Sequence, residues 1–185
     1  AIDAAGVEYR RLDDEEALAR AMASDLVAGK VISVARGRFE WGPRALGNRS
    51  ILADPRREDM KEIVNTKIKF REPFRPFAPA ILEERAADYY ELSDADSSYP
   101  LRYMLAVYTA RKDKRAAIPA VTHTGGTGRL QTVRREWNPL YYRVIESFGE
   151  QTGVPVVLNT SFNLRGEPIV NTPADALSTF ARSGI

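Results

Sequence analysis

The chain has 185 residues, 44% of them hydrophobic, with 27 Lys and Arg against 25 Asp and Glu. That length and apolar content suit one domain with a sizeable core, not a disordered chain. With no cysteine and a single histidine, His123, disulfides, thiolate chemistry, cysteine-bound zinc and a histidine-rich metal centre fall outside expectation, so any metal is expected to ride on a ligand's phosphates.

No run of about 18 apolar residues occurs and no charged-then-apolar leader opens the chain, so the expectation is no membrane span, no secretory signal and a cytoplasmic location. Residues 1–12 show no periodicity. Asp13, Asp14, Glu15 and Glu16 then place acids at a helix N-terminus, Leu18, Met22 and Leu26 follow at four-residue spacing, and Gly29 caps the helix. Residues 30–35, KVISVA, are short and β-branched and read as a buried strand before a turn at Gly37. Asp54 and Pro55 read as N-cap and first turn of a helix running to about Ile68, with Met60, Ile63, Val64 and Ile68 inward and Lys61, Lys67 and Lys69 pointing elsewhere.

The next segment, REPFRPFAP, carries Pro73, Pro76 and Pro79 and reads as a stiffened loop or edge. Residues 81–92 read as helical after their start, residues 93–100 as a polar loop, residues 101–109 as a strand and residues 113–117 as a charged turn. Asn138 and Pro139 open a helix that buries Leu140, Val144, Ile145 and Phe148 and ends at Gly153; residues 155–158 follow as a strand. Thr172, Pro173 and Asp175 open a last helix, with Leu177 and Phe180 inward. Alternating helices and strands without repeats predict a single α/β domain over residues 1–185, with a mixed, helix-covered sheet.

Charge is placed unevenly along this pattern. Between Arg36 and Arg75 eleven basic residues face six acidic ones, an excess of five in a chain whose net charge is +2. A focused basic surface attracts anions, and guanidinium groups match phosphate or carboxylate oxygens in pairs. Within it GPRALGNRS, residues 42–50, combines two glycines with Arg44, Asn48, Arg49 and Ser50. It reads as a phosphate or carboxylate cradle in which backbone amides approach the ligand, although no Gly-Lys-Ser/Thr makes it a Walker loop. The plainer reading gives the glycines to turns and the arginines to surface ion pairs.

Lys69, Arg71 and Arg75 alternate with Phe70, Phe74 and Phe77, so an apolar side can anchor while the cations face one cleft; otherwise they form a solvated face. THTGGTGRLQT, residues 122–132, offers Thr122, Arg129 and Gln131 to a nucleotide, or is a hairpin turn, and His123 alone decides nothing. LNTSFNLRGEPI, residues 158–169, leaves a strand and presents Asn159, Thr160, Ser161, Asn163 and Arg165, where open α/β sheets bind ligands, or closes an ordinary Asx turn at Gly166.

Together and in order, GRFEWGPRALGNRSILADPR, KIKFREPFRPFAPAIL, HTGGTGRLQTV, NPLYY and TGVPVVLNTSFNLRGEPIVNTPADA resemble the carboxyl-terminal domain of the O-carbamoyltransferases of nodulation-factor and antibiotic biosynthesis. The resemblance covers nearly the whole chain. It implies a YrdC-like open twisted mixed sheet with a basic concave face that binds carbamoyl phosphate and ATP and forms carbamoyl-adenylate. It also implies a second, actin-like ATPase-fold domain, absent from this sequence, that holds iron and moves the carbamoyl group to a hydroxyl.

Carried onto these positions, the resemblance puts Arg44, Lys69 and Arg75 on the phosphates as catalytic cations, with Arg129 supporting. Asn159, Ser161 and Asn163 hold the carbamoyl group or the nucleotide, and Asn48, Arg49, Ser50, Arg71, Thr122 and Gln131 complete the binding set, the roles of Arg49, Arg71 and Arg165 staying open. Mg²⁺ is expected through the ATP phosphates, and no residue is an obvious general base. Two other readings remain: an RNA-binding module, disfavoured by the modest net charge, and a non-catalytic docking domain for the other half.

Overall fold

The computed structural model describes residue 2 and residues 6–93 and 99–185; most of the expected loop at 93–100 lies outside the described residues. Asp14 begins the first helix, α1 (Glu15–Val27), by accepting the amides of Glu16 and Ala17, with Glu15 and Glu16 in the first turn. Gly29, at φ +80°, ends it. Its deeply buried stripe is Ala19, Ala23 and Leu26, while Leu18 and Met22 are half-buried beside it. Small residues let α1 approach the long helix α5 (Pro139–Thr152) closely, and Arg143 of α5 reaches back to Glu16 at 2.7 Å.

The strands are β1 (Ile32–Ala35), β2 (Arg49–Ala53), β3 (Ala78–Leu82), β6 (Gln131–Val133) and β7 (Val156–Ser161), in the order β1-β2-β7-β3-β6. All neighbours are antiparallel except β3 and β6, so the sheet is open and mixed. β4 (Val107–Thr109) and β5 (Thr127–Arg129) pair as a separate antiparallel ribbon. The central strands bury both faces, which is why they read as unbroken apolar runs. Leu52, Ala80, Leu82 and Val157 pack under α1 and α5. Their neighbours Ile51, Ile81, Val156 and Leu158 face the other way, against Met60, Val64, Ile68, Tyr90 and Leu130.

Several expectations are corrected. Asp54 caps nothing: its buried carboxylate accepts the Arg56 amide and guanidinium, and the helix α2 (Met60–Ile63) begins later, widening into a π turn over Val64–Ile68. The proline-rich segment is not all loop, because Pro79 lies inside β3; the pairing with β6 begins only at Ala80, so the missing N–H costs no bond on that side. Ile81 is strand, and helix after it is limited to a 3₁₀ turn, Glu83–Arg85, and α3 (Ala86–Tyr89).

The strand expected over 101–109 is a short helix α4 (Tyr99–Arg102), a left-handed Met104 and only then β4. β7 runs on through Ser161, so Asn159, Thr160 and Ser161 belong to the strand and do not follow it. The last helix, α6 (Pro173–Arg182), has the expected Thr172–Asp175 capping box but buries Ala176 and Thr179, leaving Phe180 exposed.

Candidate anion-binding site

The register brings the end of β7 beside the starts of β2 and β3: Ser161 faces Ser50 and Asn159 faces Ala78. Above this junction lies a cleft of about 100 Å³ whose polar wall is Arg44, Arg71, Arg129, Asn159, Thr160 and Ser161. That is about three water volumes, enough for a small oxyanion. Arg44 comes from the loop before β2, Arg71 from the segment after the π turn and Arg129 from the end of β5. No carboxylate lines it, and none of the three arginines has an ion pair among the described residues.

Arg71 is held by something other than an acid. Arg71 donates Nε to Asn65 Oδ1 at 2.7 Å and lies 4.9 Å over the Phe77 ring, while Asn65 fixes the carbonyls of Pro73 and Arg75. Burial, and then Arg75, holds Arg71 below the ordinary arginine range; burial, and then Arg44, does the same to Arg129. The Nε atoms of Arg44 and Arg129 are buried with no hydrogen-bond partner. Buried donors without partners cost about 1–3 kcal/mol each, and like charges add to that. The cleft carries its unpaired positive charge at a cost to the fold.

Lys69 stands directly behind the cleft and is itself buried. Its Nζ reaches the Ser161 carbonyl at 2.7 Å, the Asn163 carbonyl at 2.9 Å and Asn163 Oδ1 at 2.6 Å. Ser161 Oγ closes the group by donating to Asn163 Oδ1 at 2.7 Å. Burial, with Arg71 second and Glu167 opposing, pushes the Lys69 ammonium down to about 7. Lys69 therefore does not point away from the core as the helical pattern suggested.

The second half of the loop 42–50 spends its backbone amides on side-chain acceptors. Glu40 Oε1 accepts the amides of Leu46 and Asn48, Oε2 accepts that of Arg49, and Ser50 Oγ accepts that of Gly47. These contacts occupy the amides of Leu46, Gly47, Asn48 and Arg49, while Arg44 and Ala45 line the cleft. Glu40 was invisible as an organiser in the sequence; a lone acid ahead of a glycine- and arginine-rich loop was the available signal.

The remaining sequence candidates sort by distance from the cleft. Gln131 bonds to Asn159 behind the wall. Arg49 is buried and spends its guanidinium on the carbonyls of Arg36, Gly37, Asn48 and Asn171. Asn48 accepts from Asn138, and Thr122 donates to the Ile118 carbonyl. Arg75 is exposed beside Glu72, 3.8 Å away, and Arg165 is exposed too. Of the interleaved phenylalanines only Phe77 anchors, Phe70 and Phe74 being exposed. Residues 123–127 form the plain turn, closed by His123 N–H to the Thr127 carbonyl at 2.8 Å. Larger cavities of about 500 and 550 Å³ flank α6, without the three unpaired arginines.

Residues 23–185 match the family described as Carbamoyltransferase C-terminus. The chain is 49% identical over 174 residues to nodulation protein NolNO of Sinorhizobium fredii, covering 94% of this chain and 25% of that protein. It is 38% identical over 164 residues to the 3'-hydroxymethylcephem-O-carbamoyltransferase of Amycolatopsis lactamdurans, covering 89% of this chain and 30% of that protein. It thus spans about a quarter to a third of these relatives. Among solved structures it superimposes on full-length HypF in its phosphate- and nucleotide-bound form, with a TM-score of 0.68 at 17% identity over 95% of this chain and 20% of that one. At that identity the likeness speaks for the fold alone.

Proposed function

The chain belongs to the carbamoyltransferase C-terminus family, and from that premise we propose that it binds carbamoyl phosphate and ATP and forms carbamoyl-adenylate, the donor of a carbamoyl group to a hydroxyl. The observation that carries the proposal is a cleft lined by three arginines and no carboxylate, two of them with buried, unpartnered Nε donors. Such an array is complementary to the oxygens of a phosphoryl group.

In this reading Arg44, Arg71 and Arg129 hold the phosphate of carbamoyl phosphate, and Lys69 fixes the floor through Ser161 and Asn163. Water takes the phosphoryl group and releases carbamate; a carbamate oxygen then attacks the α-phosphorus of ATP, the bond to the β-phosphate oxygen breaks and pyrophosphate leaves. The protein's share is to neutralise charge as it builds and to keep the reactants close. Arg75, exposed near the rim, is placed to meet the nucleotide's phosphates. With no carboxylate in the cleft wall, Mg²⁺ would be held by the phosphates of ATP. The actin-like domain implied by the resemblance would complete transfer.

Isothermal titration with carbamoyl phosphate, and with ATP and Mg²⁺, tests this, together with pyrophosphate release. The wild type is expected to bind carbamoyl phosphate, and Arg129→Ala to lose about 1.5–3 kcal/mol of affinity, the worth of a hydrogen bond to a charged group. No binding of either ligand, or an unchanged Arg129→Ala, overturns it. RNA binding that falls steeply with salt and ignores both ligands would favour the nucleic-acid reading.

A further inference from the structure

Asn65 is wholly buried and spends both polar atoms of its amide on the segment that carries Arg71 and Arg75. It lies in the π turn, where the Lys69 amide reaches back to the Val64 carbonyl at 2.9 Å. Phe70 follows at φ +48°, and the chain turns so that the Arg71 amide bonds the Asn65 carbonyl at 2.9 Å. The stretch that comes next has no apolar anchor of its own: residues 72–76 are all exposed, and Phe77 is the first buried side chain after them. Besides a turn bond from the Arg75 amide to the Glu72 carbonyl, what holds it is Asn65 Nδ2, which donates to the Pro73 carbonyl at 3.1 Å and to the Arg75 carbonyl at 2.9 Å. Carbonyls only accept, so the orientation of the amide is forced, and Oδ1 is the atom that meets Arg71 Nε at 2.7 Å.

Two contacts thus set the plane of the Arg71 guanidinium, the bond from Nε to Asn65 and the Phe77 ring, 4.9 Å away. Its terminal nitrogens make no hydrogen bond among the described residues, and Arg71 lines the cleft while Asn65 does not. An acid at position 65 would hold the arginine more strongly, but it would take up its charge and give nothing to the two carbonyls. An amide orients the fork and leaves the charge for a ligand. Resting on the function proposed above, we infer that Asn65 is a positioning residue of the cleft: it fixes the Arg71 guanidinium for the phosphoryl oxygens of carbamoyl phosphate and ties it to the exposed segment that carries Arg75. Donors held in place beforehand bind at a lower entropic cost than donors ordered by the ligand.

The test is a double-mutant cycle in affinity for carbamoyl phosphate, measured by isothermal titration, with Asn65→Ala made alone, in Arg71→Ala and in Arg129→Ala. Alone it should weaken binding about ten-fold, as should Arg71→Ala. In Arg71→Ala it should cost little more, because the group it positions is gone, while in Arg129→Ala its full effect should persist. The carbonyls it releases lie in an exposed stretch and can turn to water, so the variant is expected to fold. Arg71→Lys gives a reading that leaves the buried site untouched: it keeps the charge but has no Nε–H for Asn65 and no fork, and it should also lose about ten-fold. An Asn65→Ala that binds as the wild type does overturns the inference. So does one that costs as much in Arg71→Ala as alone, which makes Asn65 merely structural, and so does an Arg71→Lys of undiminished affinity. In each of these cases a weakened Arg129→Ala leaves the proposed function standing. A wild type that binds no carbamoyl phosphate removes that function and this inference with it.

Discussion

Gly47 packs against Tyr141 with no room for a side chain: a Cβ added to the glycine would stand 2.3 Å from Cδ1 of that ring. The backbone there is also at φ +116°, a conformation that favours glycine. Tyr141 is buried on α5 and cannot swing away, so the loop carrying Arg44 is set by the helix beneath it. Gly47→Ala should therefore cost at least about 2 kcal/mol, from left-handed strain plus overpacking, and weaken phosphate binding. Urea denaturation and phosphate titration of the same sample check it; a stable variant with normal binding would show that the contact sets nothing.

Glu40 sets the same loop from its other side. Gln at this position retains one oxygen for the amides of Leu46 and Asn48 but turns an NH₂ toward that of Arg49, whereas Ala leaves all three amides without it. Stability should fall in the order Glu40, Gln, Ala, with about 1 kcal/mol lost for Gln and about 2–3 kcal/mol for Ala. Thermal melts of the two variants read it. Equal losses would mean that the carboxylate acts as a charge and not as a shaped acceptor.

The arginine pair predicts a trade of stability for binding. Arg44 and Arg129 repel each other and leave two buried Nε donors unpaired. Arg44→Met should raise stability by about 1 kcal/mol in phosphate-free buffer, by removing one orphaned donor and one repulsion. The same variant should show a smaller rise in melting temperature on adding phosphate, because binding stabilises in proportion to affinity. A variant that is less stable without anion would show Arg44 to be a packing residue.

Local signals were legible in the sequence and long-range choices were not. The acids before α1, Gly29, Gly153, and the Thr172–Asp175 box act over one helical turn, and they read correctly. β3 was hidden because Pro79 within it, and Pro73 and Pro76 before it, argue against a strand, and the late start of the β6 pairing makes Pro79 tolerable. The basic stretch was visible as a count of charges, but the count could not say which cations are spent. Arg56 is taken by Asp54, Arg57 by Asp59 and Arg36 by Glu15, and Arg49 by four carbonyls. Of that stretch only Arg44 and Arg71 line the cleft, joined by Arg129 from beyond it. The Arg56 and Arg57 pairs are local, two residues apart, but Arg36–Glu15 and Arg49–Asn171 are made across the fold, and residue spacing carries no record of those.

The buried ammonium of Lys69 gives a pH dependence of definite sign. Its folded value lies at about 7, below the ordinary 10.5, chiefly because burial penalises the charge. Between those values the unfolded chain binds a proton that the folded chain does not, so stability rises with pH across the window and is flat in this respect below it. Each pH unit inside the window is worth about 1.4 kcal/mol. Relative to Lys69→Met, which has no group to titrate, the wild type should gain about 2 kcal/mol between pH 7.5 and 9. Denaturation midpoints of both proteins at the two pH values measure that difference. Parallel behaviour would mean that the four oxygens of Ser161 and Asn163 around Nζ hold the ammonium charged against its burial, and that Lys69 serves the cleft as a fixed cation. A difference of the expected sign would instead make the floor under Ser161 lose its charge near neutrality, and phosphate affinity should then fall across the same pH range in the wild type alone.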